Sequence, residues 1–144
     1  MSARHIPCGI ADNESERQAI ERLRNKLPDG WILLSNLNHS SSAAFPSDEI
    51  DLIIIGPSGV TVVEVKHWDL DYVKKNGFRV DGEAERINDK AKRIASKIRL
   101  AFDPGFVAAT MLLTRGGTGI AGGQRVKARG VPLFGLSEWK ELAN

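Results

Sequence analysis

Two neighbouring runs of mostly β-branched residues constrain the fold of this chain more than any other part of its sequence. The runs are Ile50-Asp51-Leu52-Ile53-Ile54-Ile55 and Val60-Thr61-Val62-Val63-Glu64-Val65, and a Gly-Pro-Ser-Gly tetrapeptide separates them. Residues of this type favour extended strands, and glycine with proline favours a tight turn. The pattern therefore predicts a β-hairpin whose strands are apolar on both faces, as in a sheet that is covered on two sides.

The hairpin brings three charged residues together. If Ile55 faces Val60 across the turn, Asp51 faces Glu64, and the alternation of strand side chains places Lys66 on the same face. Opposed carboxylates destabilise a strand pair, and burial raises the pKa of an acid. A divalent cation would remove this conflict, because oxygen ligands on two strands suit a hard cation. The alternative is a salt-bridged Asp51 beside solvated residues at a strand end.

The surrounding pattern predicts one α/β domain over residues 13–144, preceded by an N-terminal arm at residues 1–12. The first helix begins at Asn13, which together with Glu16 has the spacing of a capping box. Further segments follow along the chain: a strand at 31–37, a loop at 38–47, a turn-rich stretch at 67–82 with a short strand near 78–80, a helix at 84–101, a strand at 106–114, a glycine-rich basic hairpin at 116–130 and a short helix at 137–142. The resulting order αβββαβ predicts a central mixed sheet flanked by helices.

The charged residues of the hairpin also form a known pattern. Asp51, followed after twelve residues by Glu64-Val65-Lys66, fits D-x(n)-E-x-K. This pattern resembles the PD-(D/E)xK nuclease superfamily, and the segment 49–66 is similar to the nuclease-related domain, NERD. Ser15-Glu16-Arg17 stands where that family has Gly-Glu and a basic residue. Residues 88–92 resemble its Asn-Pro-x-x-Gln, although Asp89 and Lys92 replace the proline and the glutamine. The similarity extends over about residues 13–114.

The resemblance implies a restriction-endonuclease-like fold and a nuclease that depends on Mg²⁺ or Mn²⁺. Asp51, Glu64 and the carbonyl of Val65 would hold the metal, and Lys66 would orient the attacking water or stabilise charge on the phosphate. In this family a glutamate at the position of Glu16 lies near the metal. The capping box explains Glu16 equally well without any catalytic role.

A basic stripe on the second predicted helix is the candidate surface for nucleic acid. Such a stripe can follow a phosphate backbone, although a solvated helix face is the plainer interpretation. His67, directly after Lys66, could stack on a base or position a phosphate. The stripe and its immediate neighbour comprise Arg86, Lys90, Lys92, Arg93 and Lys97.

Composition narrows the class of protein. The chain has 144 residues, a formal net charge of +2 and one cysteine, Cys8. A charge this small does not by itself imply a nucleic-acid partner, and a single cysteine excludes an internal disulfide. No apolar run approaches the roughly 20 residues of a membrane helix, and the N-terminus lacks the apolar core of a secretory signal. A cytoplasmic protein without a membrane partner is therefore the default expectation.

Three functions remain open from the sequence. The first is a metal-dependent nuclease acting on nucleic acid, with DNA as the expected substrate and bacterial defence or DNA processing as the expected role. The second is a non-catalytic nucleic-acid-binding module of a larger protein, which would bind without cleaving. The third is a structural or partner-recruiting domain, which would do neither. Homodimerisation and further domains in a longer chain are compatible with all three.

Overall fold

The computed structural model describes residues 3–11, 13–39, 48–57, 59–101, 107–115, 120–121 and 124–138. Within them, seven strands form one mixed sheet in the order β1-β2-β3-β4-β5-β9-β8, and β6 and β7 pair separately as a small hairpin. The elements in chain order are β1 (Arg4–Pro7), α1 (Glu14–Lys26), β2 (Ile32–His39), β3 (Asp48–Gly56), β4 (Gly59–Lys66), α2 (Leu70–Lys75), α3 (Gly77–Ala101), β5 (Val107–Leu113), β6 (Ile120–Ala121), β7 (Gln124–Arg125), β8 (Lys127–Ala128), β9 (Val131–Gly135) and a 3-10 helix (Leu136–Glu138).

The predicted αβββαβ core is present in the fold, and its elements are α1, β2, β3, β4, α3 and β5. Strands β2, β3 and β4 are antiparallel neighbours, whereas β4, β5 and β9 are parallel. Parallel neighbours need a crossover connection, which the long helix α3 supplies between β4 and β5. The α/β class and the restriction-endonuclease-like arrangement expected from the sequence are thus confirmed.

The apolar residues on both faces of the hairpin are explained by a helix on each side of the sheet. Leu52, Ile54 and Val63 pack with the buried face of α1, whereas Ile53 and Val62 pack with that of α3. Helix α1 begins as predicted, because the Asn13 side chain accepts a hydrogen bond from the backbone N–H of Glu16 at 2.9 Å. None of the described helices is long and apolar enough to cross a lipid bilayer.

The structure corrects the sequence prediction at two places. The expected arm at residues 1–12 contributes β1, whose four residues pair in parallel with β2 and are too few to show an alternating pattern. The expected turn-rich stretch at 67–82 is helical from Leu70 onward, with Asp69 capping α2 and α3 beginning at Gly77. The short strand expected near 78–80 is therefore part of α3. Gly77 and Gly82 disguise this helix in the sequence, since glycine disfavours helices by about 1 kcal/mol. Burial of Val80 and Ala84 against the sheet offsets that cost.

The other predictions agree with the described part of the chain or fall outside it. Strands β2 and β5 lie where strands were expected, and β6 with β7 forms a hairpin within the glycine-rich segment. The first two residues of the loop expected at 38–47 are the end of β2, and its remainder, 40–47, lies outside the described residues. The part of the expected final helix beyond residue 138 also lies outside them.

Candidate active site

The central sheet forks where the charged residues of the hairpin lie. The paired register of β3 and β4 runs from Gly56–Gly59 to Leu52–Val63, as the turn predicted. Beyond this point β3 continues along β2 as far as Asp48, and β4 continues along β5 as far as Lys66. Asp51 and Glu64 are the next residues on the two diverging strands, so their side chains stand at the fork.

Asp51 connects the two branches of the fork through its side chain. Its Oδ2 accepts a hydrogen bond from the backbone N–H of Val65 at 2.9 Å. Burial and, second, the negative charge of Glu64 raise the pKa of Asp51 from 3.8 to about 7, while the hydrogen bond from the Val65 N–H opposes both effects. The fork therefore contains a half-buried acid whose pKa lies near neutral pH.

Two lysines surround Glu64, and one of them comes from α3. The Lys66 Nζ lies 3.6 Å from Glu64 Oε1, and the Lys90 Nζ lies 3.7 Å from Glu64 Oε2. Lys90 also donates a hydrogen bond to the Glu49 carbonyl at 2.7 Å. Glu64 Oε2 is buried and accepts no hydrogen bond from the described residues.

A second acid from α3 holds Lys66. The Lys66 Nζ lies 3.2 Å from Glu83 Oε2, and it stands 5.3 Å from the centre of the Trp68 ring. Trp68 is itself buried and stacks on Tyr72, which supports its interpretation as a packing residue. The ammonium group of Lys66 is thus fixed between two carboxylates and an aromatic face.

Sequence reasoning missed Glu83 and did not place Lys90 beside Glu64. Glu83 lies between the expected turn-rich stretch, which ends at residue 82, and the expected helix, which begins at residue 84, so it was not assigned to any face. Lys90 was counted in the basic stripe, yet its side chain is about 19% exposed and is directed at Glu64. Had α3 been extended to Gly77, the seven-residue spacing of Glu83 and Lys90 would have placed both on one helical face.

Glu16 belongs to the cap of α1, and it also lies near the fork. Its backbone N–H is capped by Asn13, while its side chain is buried at about 4% exposure. Its negative charge also raises the pKa of Asp51, which places it in the electrostatic surroundings of the fork. It is not, however, grouped with other ligands: among the described residues, no three His, Cys, Asp or Glu side chains form a set that could hold a metal.

The remaining residues of the predicted nucleic-acid surface occupy different positions. Arg86 is largely exposed and donates to Glu83 at 2.8 Å, Lys92 is exposed, and Arg93 is half-buried. The Lys97 side chain lies outside the described residues. His67 is exposed and hydrogen-bonds Thr114 Oγ1 at 2.8 Å, in a cleft of about 230 Å³ that Arg22 and Gln18 also line.

The donor set at the fork fits a divalent cation such as Mg²⁺. Asp51 and Glu64 lie on neighbouring strands, and the pKa of Asp51 is raised partly by the charge of Glu64. A hard cation bound by both carboxylates would offset this repulsion. Magnesium is bound in many enzymes by one or two carboxylates together with water and substrate phosphate, so a third protein carboxylate is not required.

Comparison with known proteins agrees with this geometry. The family model described as nuclease-related domain matches residues 11–108. A protein from Streptomyces coelicolor named "Probable kinase PglW" is 34% identical over 95 residues, which are 57% of this chain and 6% of that protein. The chain thus spans a small fraction of that relative's length. Because the family model covers more than half of the chain, including α1, the hairpin and α3, this protein belongs to the nuclease-related domain family.

Proposed function

We propose that this protein is a metal-dependent nuclease that hydrolyses phosphodiester bonds of nucleic acid, with DNA as the substrate. The observation that supports the proposal most directly is the fork, where half-buried Asp51 lies beside Glu64 and Lys66 follows one strand repeat later. A fold-stabilising role alone would not favour a buried acid of raised pKa next to a second acid. Membership of a nuclease-related family supports the same class of reaction.

Each residue of the fork then has a distinct task. Asp51, Glu64 and the Val65 carbonyl would hold Mg²⁺ or Mn²⁺, which lowers the pKa of a bound water and neutralises phosphate charge. Lys66, oriented by Glu83, would place its ammonium group against the attacking water or a phosphate oxygen. Lys90 lies 3.7 Å from Glu64 Oε2 and would have to yield part of that contact to a cation.

A non-catalytic nucleic-acid-binding module is the second candidate. It is favoured by the two lysines at Glu64, because the protein itself supplies positive charge to this carboxylate. In that case the basic residues of α3 would bind phosphate and no cation would be needed. A role in bacterial defence or DNA processing, and attachment to further domains, remain predictions under either candidate.

A cleavage assay distinguishes the candidates. Linear, circular and single-stranded DNA are incubated with Mg²⁺, with Mn²⁺ or with chelator, and the products are separated by size. We expect cleavage with metal only, and a loss of at least 100-fold in Lys66→Ala, because one preorganised charge at a transition state is worth about this much. Mg²⁺ binding, measured by calorimetry, should persist in this variant.

Lys75→Ala is the matched control, because Lys75 is exposed at the end of α2, away from the fork. It should cleave at the parent rate. Cleavage by Lys66→Ala at the parent rate would refute the assignment of Lys66, whereas salt-sensitive binding without any cleavage would favour the binding module.

A further inference from the structure

A second concave site lies beside the fork. A cleft of about 430 Å³ opens between β1, β2 and the first turns of α1. Ligand sites are characteristically concave and mostly apolar, with a few polar groups that fix orientation. The apolar walls of this cleft are Pro7, Ile10, Ala11 and Ile20. Polar and charged side chains form most of the remaining lining, namely His5, Asn13, Glu14, Arg17, Glu21, Ser35 and Asn36.

The walls of the cleft are held in place by contacts within the fold. The His5 Nε2 lies 2.7 Å from Ser35 Oγ, and its Nδ1 lies 3.8 Å from Glu21 Oε1, so both ring nitrogens have partners. At Gly9 a Cβ would lie 2.6 Å from the Asn36 carbonyl oxygen, so only glycine permits this approach. The cleft is therefore preformed and does not depend on a ligand to shape it.

The cleft adjoins the fork through Asn36. Strands β2 and β3 pair through Ser35–Leu52 and Leu37–Ile50, so Asn36 lies alongside Asp51. Asn36 has a φ of 55°, a left-handed conformation that interrupts the regular strand at this point. Neighbouring strands are about 4.8 Å apart, so the backbone of Asn36, at the edge of the cleft, lies about one strand spacing from the backbone of Asp51.

The chemistry of the cleft fits a nucleobase better than a phosphate. Arg17 lines the cleft, but its guanidinium pairs with Glu14, so it offers little free positive charge. Apolar walls suit the flat faces of a base, and the Asn36 amide can both donate to and accept from a base edge. A base can present both its flat faces and its hydrogen-bonding edge to such walls only when it is unpaired.

We propose that this cleft takes one unpaired nucleobase that flanks the scissile phosphate, which makes single-stranded or frayed DNA the preferred substrate. The inference rests on the proposed function, because it places the phosphate at the fork. Recognition of unpaired bases in protein pockets, where their faces and edges are both accessible, is the general way that single strands are bound.

An abasic scan tests the proposal. A short fluorescent single-stranded oligonucleotide is bound in chelator, and each nucleotide in turn is replaced by an abasic one. We expect one position to weaken binding about tenfold, which is 1.4 kcal/mol, while its neighbours matter little. In the variant Ala11→Trp, which fills the cleft, the intact oligonucleotide should bind about tenfold more weakly, and the abasic position should no longer matter.

Two further variants keep the result interpretable. Asn36→Gly removes the amide but retains the positive φ, so it should weaken binding severalfold even if Ala11→Trp does not fold. Phe78→Ala changes a side chain that is 97% exposed on α3 and should bind like the parent.

The outcomes separate this inference from the proposed function. A flat abasic profile in a protein that cleaves DNA would overturn the base-binding cleft alone. A single sensitive position in a protein that never cleaves would retain the cleft and refute the nuclease. A protein that binds no oligonucleotide would refute both, and equal affinity for duplex and single strand would also overturn the cleft.

Discussion

Replacing Asp51 by asparagine tests the electrostatic conflict at the fork. The substitution keeps the shape of the side chain and leaves an oxygen that can accept the Val65 N–H, but it removes the charge. If burial beside Glu64 makes ionised Asp51 unfavourable, the asparagine variant should be more stable than the parent in the absence of metal. A salt-bridged structural acid would give the opposite sign, a loss of about 1 to 3 kcal/mol.

The size of the gain follows from the pKa. Asp51 has a pKa of about 7 in the folded protein and 3.8 as an unperturbed group. Between these values the folded state binds more protons than the unfolded chain, so the free energy of unfolding falls as the pH rises. The fall is about 1.4 kcal/mol per pH unit and reaches about 4 kcal/mol above pH 7. The asparagine variant does not ionise at this position, so its free energy of unfolding does not show this fall.

Thermal melts at several pH values measure the effect. In chelator at pH 7.5 the variant should melt roughly 10 °C above the parent. The difference should shrink as the pH falls and vanish below about pH 3, where Asp51 is protonated in both states. Mg²⁺ at 100 times its dissociation constant should stabilise the parent by about 2.7 kcal/mol and the variant hardly at all.

Two results would refute this reasoning. A variant that melts below the parent in chelator would show that Asp51 is a structural acid stabilised in its charged form. A parent that does not respond to Mg²⁺ would remove the metal from the proposed mechanism. Asp71→Asn, which removes a charge from an exposed residue of α2, is the control and should change the melting temperature by little.

The remaining predictions concern the basic residues of α3. Lys90→Met removes the ammonium group beside Glu64, so calorimetry should show that Mg²⁺ binds severalfold more tightly, while the variant in chelator should melt at a lower temperature. Unchanged Mg²⁺ affinity would mean that Lys90 does not compete with the cation. Arg86→Gln combined with Lys92→Gln should weaken DNA binding and reduce the slope of log K against log salt by about one unit per lost phosphate contact; an unaltered slope would identify this face as merely solvated.

The parts of this fold that depend on local patterns were predictable from the sequence. The β-branched runs and the glycine-bearing turn determined the hairpin and its register, because a four-residue turn leaves one way to match the alternating faces. Asn13 determined the start of α1, since capping involves residues only three positions apart. Asp51, Glu64 and Lys66 could be singled out for the same reason, as they lie within one hairpin.

Tertiary structure decided which distant residues complete the site. Glu83 reaches Lys66, and Lys90 reaches Glu64, because α3 packs across the sheet. Helix propensity does not predict the start of α3, because glycines lie there. Strand β1 exists because β2 offers a free edge, which its four residues do not reveal by themselves. The divergence of β3 from β4 likewise arises from pairing with other strands. The sequence by itself is enough to identify Asp51 and Glu64 as a pair in the hairpin. The positions of Lys90 and Glu83 beside the hairpin depend on tertiary contacts that only folding creates.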